Sequence, residues 1–227
     1  WTWVNGSNTK NQPGIYGTKG MAAESNVPGA REFAITWFEN GDLWLFGGRG
    51  FDKNGTSNML NDLWKYEILT GQWTWMSGND IVNQSGVYGT KGTGSVNNFP
   101  GGHWHSTGWN DQNGNLWLFG GYGYDKNGAI SDLNDLWRYE IGNGKWTWVA
   151  GSDIINQPGV YGELEIGTSA NTPGSRYNAV SWTDVANNLW LFGGRGNDTN
   201  TASDGYLNDF WKFDIGENVW IWMAGSN

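Results

Sequence analysis

Two sets of residues in this chain have types and spacing that could do chemistry. The first recurs three times. Asp52 and Asn54 stand in "FDKNG", Asp125 and Asn127 in "YDKNG", and Asp198 and Asn200 in "NDTNT". Carboxylate and amide oxygens two residues apart are hard ligands of the kind Ca2+ takes. These six residues are the candidate ligand-binding set. Asp-x-Asn-Gly is equally an ordinary tight-turn string, and the distal Glu of a helix-loop-helix calcium site is missing. Turn chemistry is the favoured reading, and no cofactor other than Ca2+ is considered. The second set is His103 and His105, the two histidines of the chain. At i, i+2 they would share one face of a strand, a spacing that suits a metal. No third ligand is identifiable, so packing or hydrogen bonding is expected of them. The corresponding positions elsewhere hold Arg31 and Phe33, and Arg176 and Asn178.

Other chemistries are excluded by what the chain lacks. With no Cys there is no disulfide, no thiolate nucleophile and no Cys-bound zinc. No "GxSxG" elbow or phosphate-cradling loop occurs, so no catalytic residue is assigned and an enzyme is not expected. The 13 Lys and Arg are scattered singly against a net charge of -9, which argues against nucleic acid as a partner. No apolar run approaches the ~18–20 residues of a membrane span. No signal peptide is visible, and the first residue is Trp rather than Met. The expectation is a processed chain, or a segment of a longer one. Exposed aromatics beside Asn, Asp and Gly suit sugar rings, so glycans are a further candidate partner.

The elements that must position these residues are announced by repetition. "LWLFGG" appears at 43–48, 116–121 and 189–194. Trp44, Trp117 and Trp190 are spaced by 73 residues. "NDLW", "NDLW" and "NDFW" place Trp64, Trp137 and Trp211, and "WTW" or "WIW" begins at Trp1, Trp73, Trp146 and Trp220. A motif used three times points to architecture before it points to a site. Each unit reads as four strands. The first runs through "REFAITW" (31–37), "HWHSTGW" (103–109) and "RYNAVSW" (176–182). The second is "LWLFGG", apolar on both faces and therefore buried on both, and closed by its Gly pair. The third is "DLWKYEI" and its equivalents, and the fourth is "WTWM". The chain is otherwise polar and carries 37 Gly, so its 18 Trp must supply much of the core.

An apolar run ending in Gly-Gly, an Asn-Asp-apolar-Trp strand, a Tyr and a later Trp together resemble the kelch repeat. Gly47, Gly48, Trp64, Tyr66 and Trp73 carry the likeness in the first unit, and Gly120, Gly121, Trp137, Tyr139 and Trp146 in the second. In the third, Gly193, Gly194, Trp211 and Trp220 carry it, with Phe213 in place of the Tyr. The resemblance implies an all-β, kelch-type β-propeller of bacterial type. It would have three four-stranded antiparallel blades and a spare N-terminal outer strand, a partial propeller. On that reading residues 1–8 are the outer strand of a preceding blade and 9–28 an inserted loop. Residues 29–78 are the first blade, 79–100 a loop, 101–151 the second blade, 152–173 a loop and 174–227 the third blade. Some kelch propellers are copper radical oxidases resembling galactose oxidase. Without Cys, and with one His pair, this stretch cannot build that centre, and it lacks the Asp-box of sialidase-like propellers. At most it would be a non-catalytic portion of such an enzyme.

The three inserted loops keep equal length and share "NQ(P/S)G(I/V)YG", so they are expected to be ordered. They would fold back over the Trp pair of the outer strand, with Tyr16, Tyr88 or Tyr161 packing on it. Arg31 and Arg176 are expected to bond carbonyls or carboxylates of the neighbouring blade, for example near Asp62 or Asp209, and Trp37, Trp109 and Trp182 to pack blade on blade. Three blades are too few to close a ring, since propellers use about 4–8. The partners are therefore further blades of the same chain or other copies of it. The expected function is a non-enzymatic structural or protein-interaction module, extracellular or at a cell surface, with a lectin-like propeller as the alternative.

Overall fold

A computed structural model describes residues 1–199 and 204–227. These form four antiparallel sheets and no helix, grouped as three repeat units side by side. No described helix is long and apolar enough to cross a membrane. In the first unit the strands Ile35–Glu39, Asp42–Phe46, Leu63–Glu67 and Gln72–Ser77 pair in sequence order. Thr107–Asn110, Leu116–Tyr124, Ile130–Glu140 and Lys145–Ala150 repeat the pattern in the middle unit. Val180–Thr183, Leu189–Gly196, Gly205–Asp214 and Val219–Ala224 repeat it in the third.

The units touch along their first strands. Ser181 and Thr183 donate hydroxyls to the carbonyls of Gly108 and Asn110 at 3.1 and 2.8 Å, and Asn110 donates to Phe38 O at 3.2 Å. The first strands thus form the hub of a fan and the fourth strands its outer edge.

Two expectations about the strands need correction. The Gly pair closes the second strand in the first unit, where it ends at Phe46 and the chain resumes as Arg49–Phe51 in a separate small sheet, but not in the other two. Leu116–Tyr124 runs straight through Gly120 and Gly121, with a bulge between Phe119 and Gly121. Gly120 sits at φ 55°, and a Cβ there would lie 2.7 Å from Leu133 O in its own unit and from Arg176 O in the next. Glycine is required because two backbones converge on that point. The expected first strand is also broken in two. Short pieces at Arg31–Glu32, His103–Trp104 and Arg176–Tyr177 pair with the far half of the second strand. Phe33, His105 and Asn178 then take φ of 55°, 57° and 56°, a left-handed kink repeated at the hub. Their amides link the units: His105 N–H donates to Phe33 O, and Asn178 N–H to His105 O.

The spare N-terminal strand is not formed. Residues 1–4 pair with no strand and are exposed.

The inserted loops are ordered, but they reach forward rather than back. Each covers the outer strand of the unit that follows it. Tyr16 stacks edge-on against Trp75 at 5.2 Å, Tyr88 against Trp148 at 5.2 Å and Tyr161 against Trp222 at 5.3 Å. Single bridges join Ala23 to Trp73, Ser95 to Trp146 and Thr168 to Trp220. The amides of Gly20, Gly92 and Glu165 donate to the carbonyls of Trp75, Trp148 and Trp222, each at 2.8 Å. Lys19 and Lys91 lie over the Trp75 and Trp148 rings at 4.2 Å. An outer edge that would invite further strands is thereby occupied by the chain itself.

Candidate functional site

The turn aspartates are consumed by backbone. Asp52 Oδ1 accepts from the amides of Asn54 and Thr56, and its Oδ2 from Val82 N–H. Asp125 repeats this with Asn127, Ala129 and Ile155. Both carboxylates are buried and turned inward, holding the loop against the next segment. Asp198 gives its carbonyl to Gly159 N–H, as Asp52 does to Gly14, and Asn200 lies outside the described residues. The structure does not gather these residues into one site, because each stays within its own turn. Among the described residues no group of three or more His, Asp or Glu could hold a metal ion.

His103 and His105 do not share a face. The strand stops at Trp104 and the left-handed backbone at His105 breaks the alternation. His103 is buried at the edge of the Phe46 ring, whereas His105 stacks on Phe33 at 4.0 Å.

His103 instead occupies a position that matters in every unit. In the first, Arg31 holds Asp62 through bonds of 2.6 and 2.8 Å, and Tyr16 and Trp64 donate to the same carboxylate at 2.6 and 2.7 Å. In the third, Arg176, Tyr161 and Trp211 converge on Asp209 in the same way. Each arginine bonds a carboxylate of its own unit, not of the neighbouring one as the sequence suggested. The reason is the split first strand, which carries the arginine back beneath its own third strand. These clusters tie the inserted loop, the first strand and the third strand together. In the middle unit Tyr88 and Trp137 still donate to Asp135 at 2.7 Å. Asp135 Oδ1 and both His103 ring nitrogens are buried without partners. Burial pulls the His103 pKa below its ordinary value, with Asp135 opposing, so the ring is neutral.

Between units, a face of Trp and Phe meets one that mixes Leu with Tyr, Phe and Trp. Trp44 and Phe46 of the first unit pack on Tyr139 and Trp146 of the second at 5.8 and 5.5 Å, over Leu116 and Leu118. Trp117 and Phe119 pack on Phe213 and Trp220 at 5.7 and 5.5 Å, over Leu189 and Leu191. Trp37 and Trp109 cross each junction and donate to the carbonyls of Trp117 and Trp190 at 3.2 and 2.8 Å.

The two outermost faces of the fan carry the counterparts of these residues with less cover, although on the first unit Tyr66 stays buried and Val4, Asn5 and Gly6 of the N-terminal segment line the same surface. Trp182 and Phe192 are 42% and 44% exposed, where their counterparts Trp109 and Phe119 are at 3% and 0%. Trp182, Trp190 and Phe210 form a stack on that face, with Trp182 and Trp190 6.1 Å apart and nearly parallel. On the opposite face Leu43 is 41% exposed where Leu116 is at 0%. There Leu43, Leu45, Tyr66 and Trp73 line an apolar cavity of about 280 Å3. Sequence reading placed the Trp residues but could not tell which face of each unit is aromatic, since "LWLF" is apolar on both sides.

No family model matches the chain, and no curated protein matches it. Among solved structures it is similar to the one titled "Structure of YjhT", with a TM-score of 0.55 and 17% identity, over 89% of this chain and 54% of that one. The chain therefore spans about half the length of that structure's chain. At this identity the similarity concerns the fold, and together with the four antiparallel sheets it gives the chain a β-propeller-like, all-β architecture.

Proposed function

We propose that this chain is a kelch-type run of three propeller blades acting as a non-enzymatic structural and protein-interaction module, whose two open faces take further blades of the same kind. One observation carries the reading. The Trp and Phe face of the third blade and the Leu, Tyr and Trp face of the first reproduce the two halves of junctions that are fully buried inside the chain. In register, Trp190 would meet Tyr66 and Phe192 would meet Trp73, as Trp44 meets Tyr139 and Phe46 meets Trp146. Burying a large side chain of this kind stabilises by about 1.5–3 kcal/mol, and the exposed Trp182 and Phe192 on one face with Leu43 on the other mark interaction sites. The face-to-face geometry is head-to-tail, so it closes a ring if the rotation per blade permits and otherwise extends.

Sedimentation velocity tests this directly. The 227-residue chain is expected to associate with rising concentration, and Trp182→Ser/Trp190→Ser to stay monomeric with an unchanged β-sheet spectrum. A chain that remains monomeric at every concentration, with both rings freely quenched by iodide, would refute docking at these faces.

A further inference from the structure

Between the second and third units the hub encloses a cavity of about 320 Å3. Tyr122, Ser131 and Asp132 line it from the second unit, Asn156 from the inserted loop, and Tyr177 and Asn197 from the third unit, with Asp204 at its edge. Two of its polar residues are buried, and one carries an atom without a protein partner. Asp132 is 4% exposed and lines the cavity. Asn197 is also 4% exposed, and its Nδ2 has no acceptor. A buried group of this kind calls for an explanation outside the protein.

Both residues break the repeat. The strand register pairs Arg49 with Met59 in the first unit, Tyr122 with Asp132 in the second and Arg195 with Tyr206 in the third. Asp132 thus stands where the sister units have Met59 and Tyr206. Asn197 stands where they have Phe51 and Tyr124. The cavity is made by departures from symmetry, as a single asymmetric site must be, whereas the turn aspartates obey the repeat and serve the fold.

The lining also narrows the ligand. Asp132 and Asp204 disfavour an anion. Arg195, which holds Asp204 at 2.9 Å, lines the adjoining space with Tyr177 and Tyr206. Among the described residues no group of three or more His, Asp or Glu could hold a metal ion here. What remains is a neutral molecule that gives and accepts hydrogen bonds and has apolar faces for the Tyr122 and Tyr177 rings. Burial, reinforced by Asp204 and opposed by Arg195, raises the Asp132 pKa to about 6, so this carboxyl can serve as acceptor or donor close to neutrality. We propose that this cavity binds a neutral saccharide, with Asp132 and Asn197 bonding its hydroxyls and the two tyrosine rings flanking its C–H faces. The site lies inside the fan and does not depend on docking at the end faces.

Saturation-transfer NMR tests it, with the whole chain and a panel of glucose, galactose, mannose, fucose and N-acetylglucosamine, and with glucuronate and calcium chloride as controls. At least one neutral sugar is expected to receive saturation at its ring C–H protons with millimolar affinity. Asp132→Met and Asn197→Phe install the residues of the first unit and so suit the fold. Each is expected to weaken binding roughly tenfold or more, with a thermal midpoint no lower than that of the parent. Absence of transfer to every neutral sugar, transfer that survives both substitutions, or calcium binding abolished by Asp132→Met would each overturn the assignment. The parent titration decides the matter even if one variant fails to fold.

Discussion

The guanidinium of Arg176 holds the carboxylate of Asp209 through two parallel bonds of 2.6 and 2.7 Å, with both side chains wholly buried. Tyr161 from the inserted loop and Trp211 complete the acceptor shell at 2.7 and 2.8 Å. Burial by itself would raise the Asp209 pKa, but the bonds and charge of Arg176, with Trp211 and Tyr161, outweigh it and hold the carboxyl below the ordinary value. One ion pair therefore joins the hub to the outer edge through the loop.

Removing one partner leaves a buried charge uncompensated. Arg176→Met is expected to destabilise by about 3–5 kcal/mol, and Arg176→Met/Asp209→Asn to recover part of that loss. Urea denaturation measures both. Because the folded pKa of Asp209 is depressed, its contribution is complete above the ordinary carboxylate range and is lost as pH falls through the folded value. The parent should accordingly lose stability on acidification more steeply than the double variant. Equal acid sensitivity in the two would refute this account.

His103 is the place where the middle unit lacks this device. His103→Arg restores the residue of both sister units beside Asp135, whose Oδ1 is buried without a partner. A hydrogen bond to a charged group contributes about 1.5–3 kcal/mol, and a gain of that order is expected in the denaturation midpoint. The parent also carries a pH signature. With its folded pKa depressed by burial, His103 binds fewer protons folded than unfolded, so stability falls as pH drops below the ordinary histidine value. The arginine variant should lose that dependence. A destabilised variant would show that the middle unit is built differently.

The tyrosine clamp gives a comparison between units. Tyr88→Phe keeps the ring against Trp148 but deletes the 2.7 Å bond to Asp135. Leaving a buried acceptor short of a donor costs about 1–3 kcal/mol. The same change at Tyr16 should cost less, because Arg31 still holds Asp62 with two bonds. Hydrogen exchange at Gly92, whose amide donates to Trp148 O, should quicken in Tyr88→Phe. Equal costs at the two tyrosines would argue that the arginine does not share the load.

The all-β class and the order of the main strands in each repeat were open to reading because they are local or repeated: alternation within "LWLF", turn residues after it, and recurrence of the whole after 73 residues. The ordering of the inserted loops was legible for the same reason, since three equal lengths with a shared tyrosine mark a fixed packing. The turn aspartates kept the turn chemistry their spacing allowed. What the sequence could not say was which surfaces meet. Whether Tyr88 would cap the strand before it or the one after it, and whether Arg31 would seek its own unit's Asp62 or a neighbour's, turn on local backbone such as the left-handed Gly47–Gly48 and Phe33. Both are set by how closely two backbones approach across a junction.

Asp132 and Asn197 stand out as irregularities in the aligned repeat strings, but only the fold brings them to one cavity at the hub. The amino-acid order determined the repeat, the aromatic economy of the core and the absence of thiol chemistry. Tertiary packing alone decided that Trp182, Trp190 and Phe192 face outward while their sisters are buried. Identical local strings acquire different burial only from what stands next to them, and no residue carries that information in its own neighbourhood of sequence.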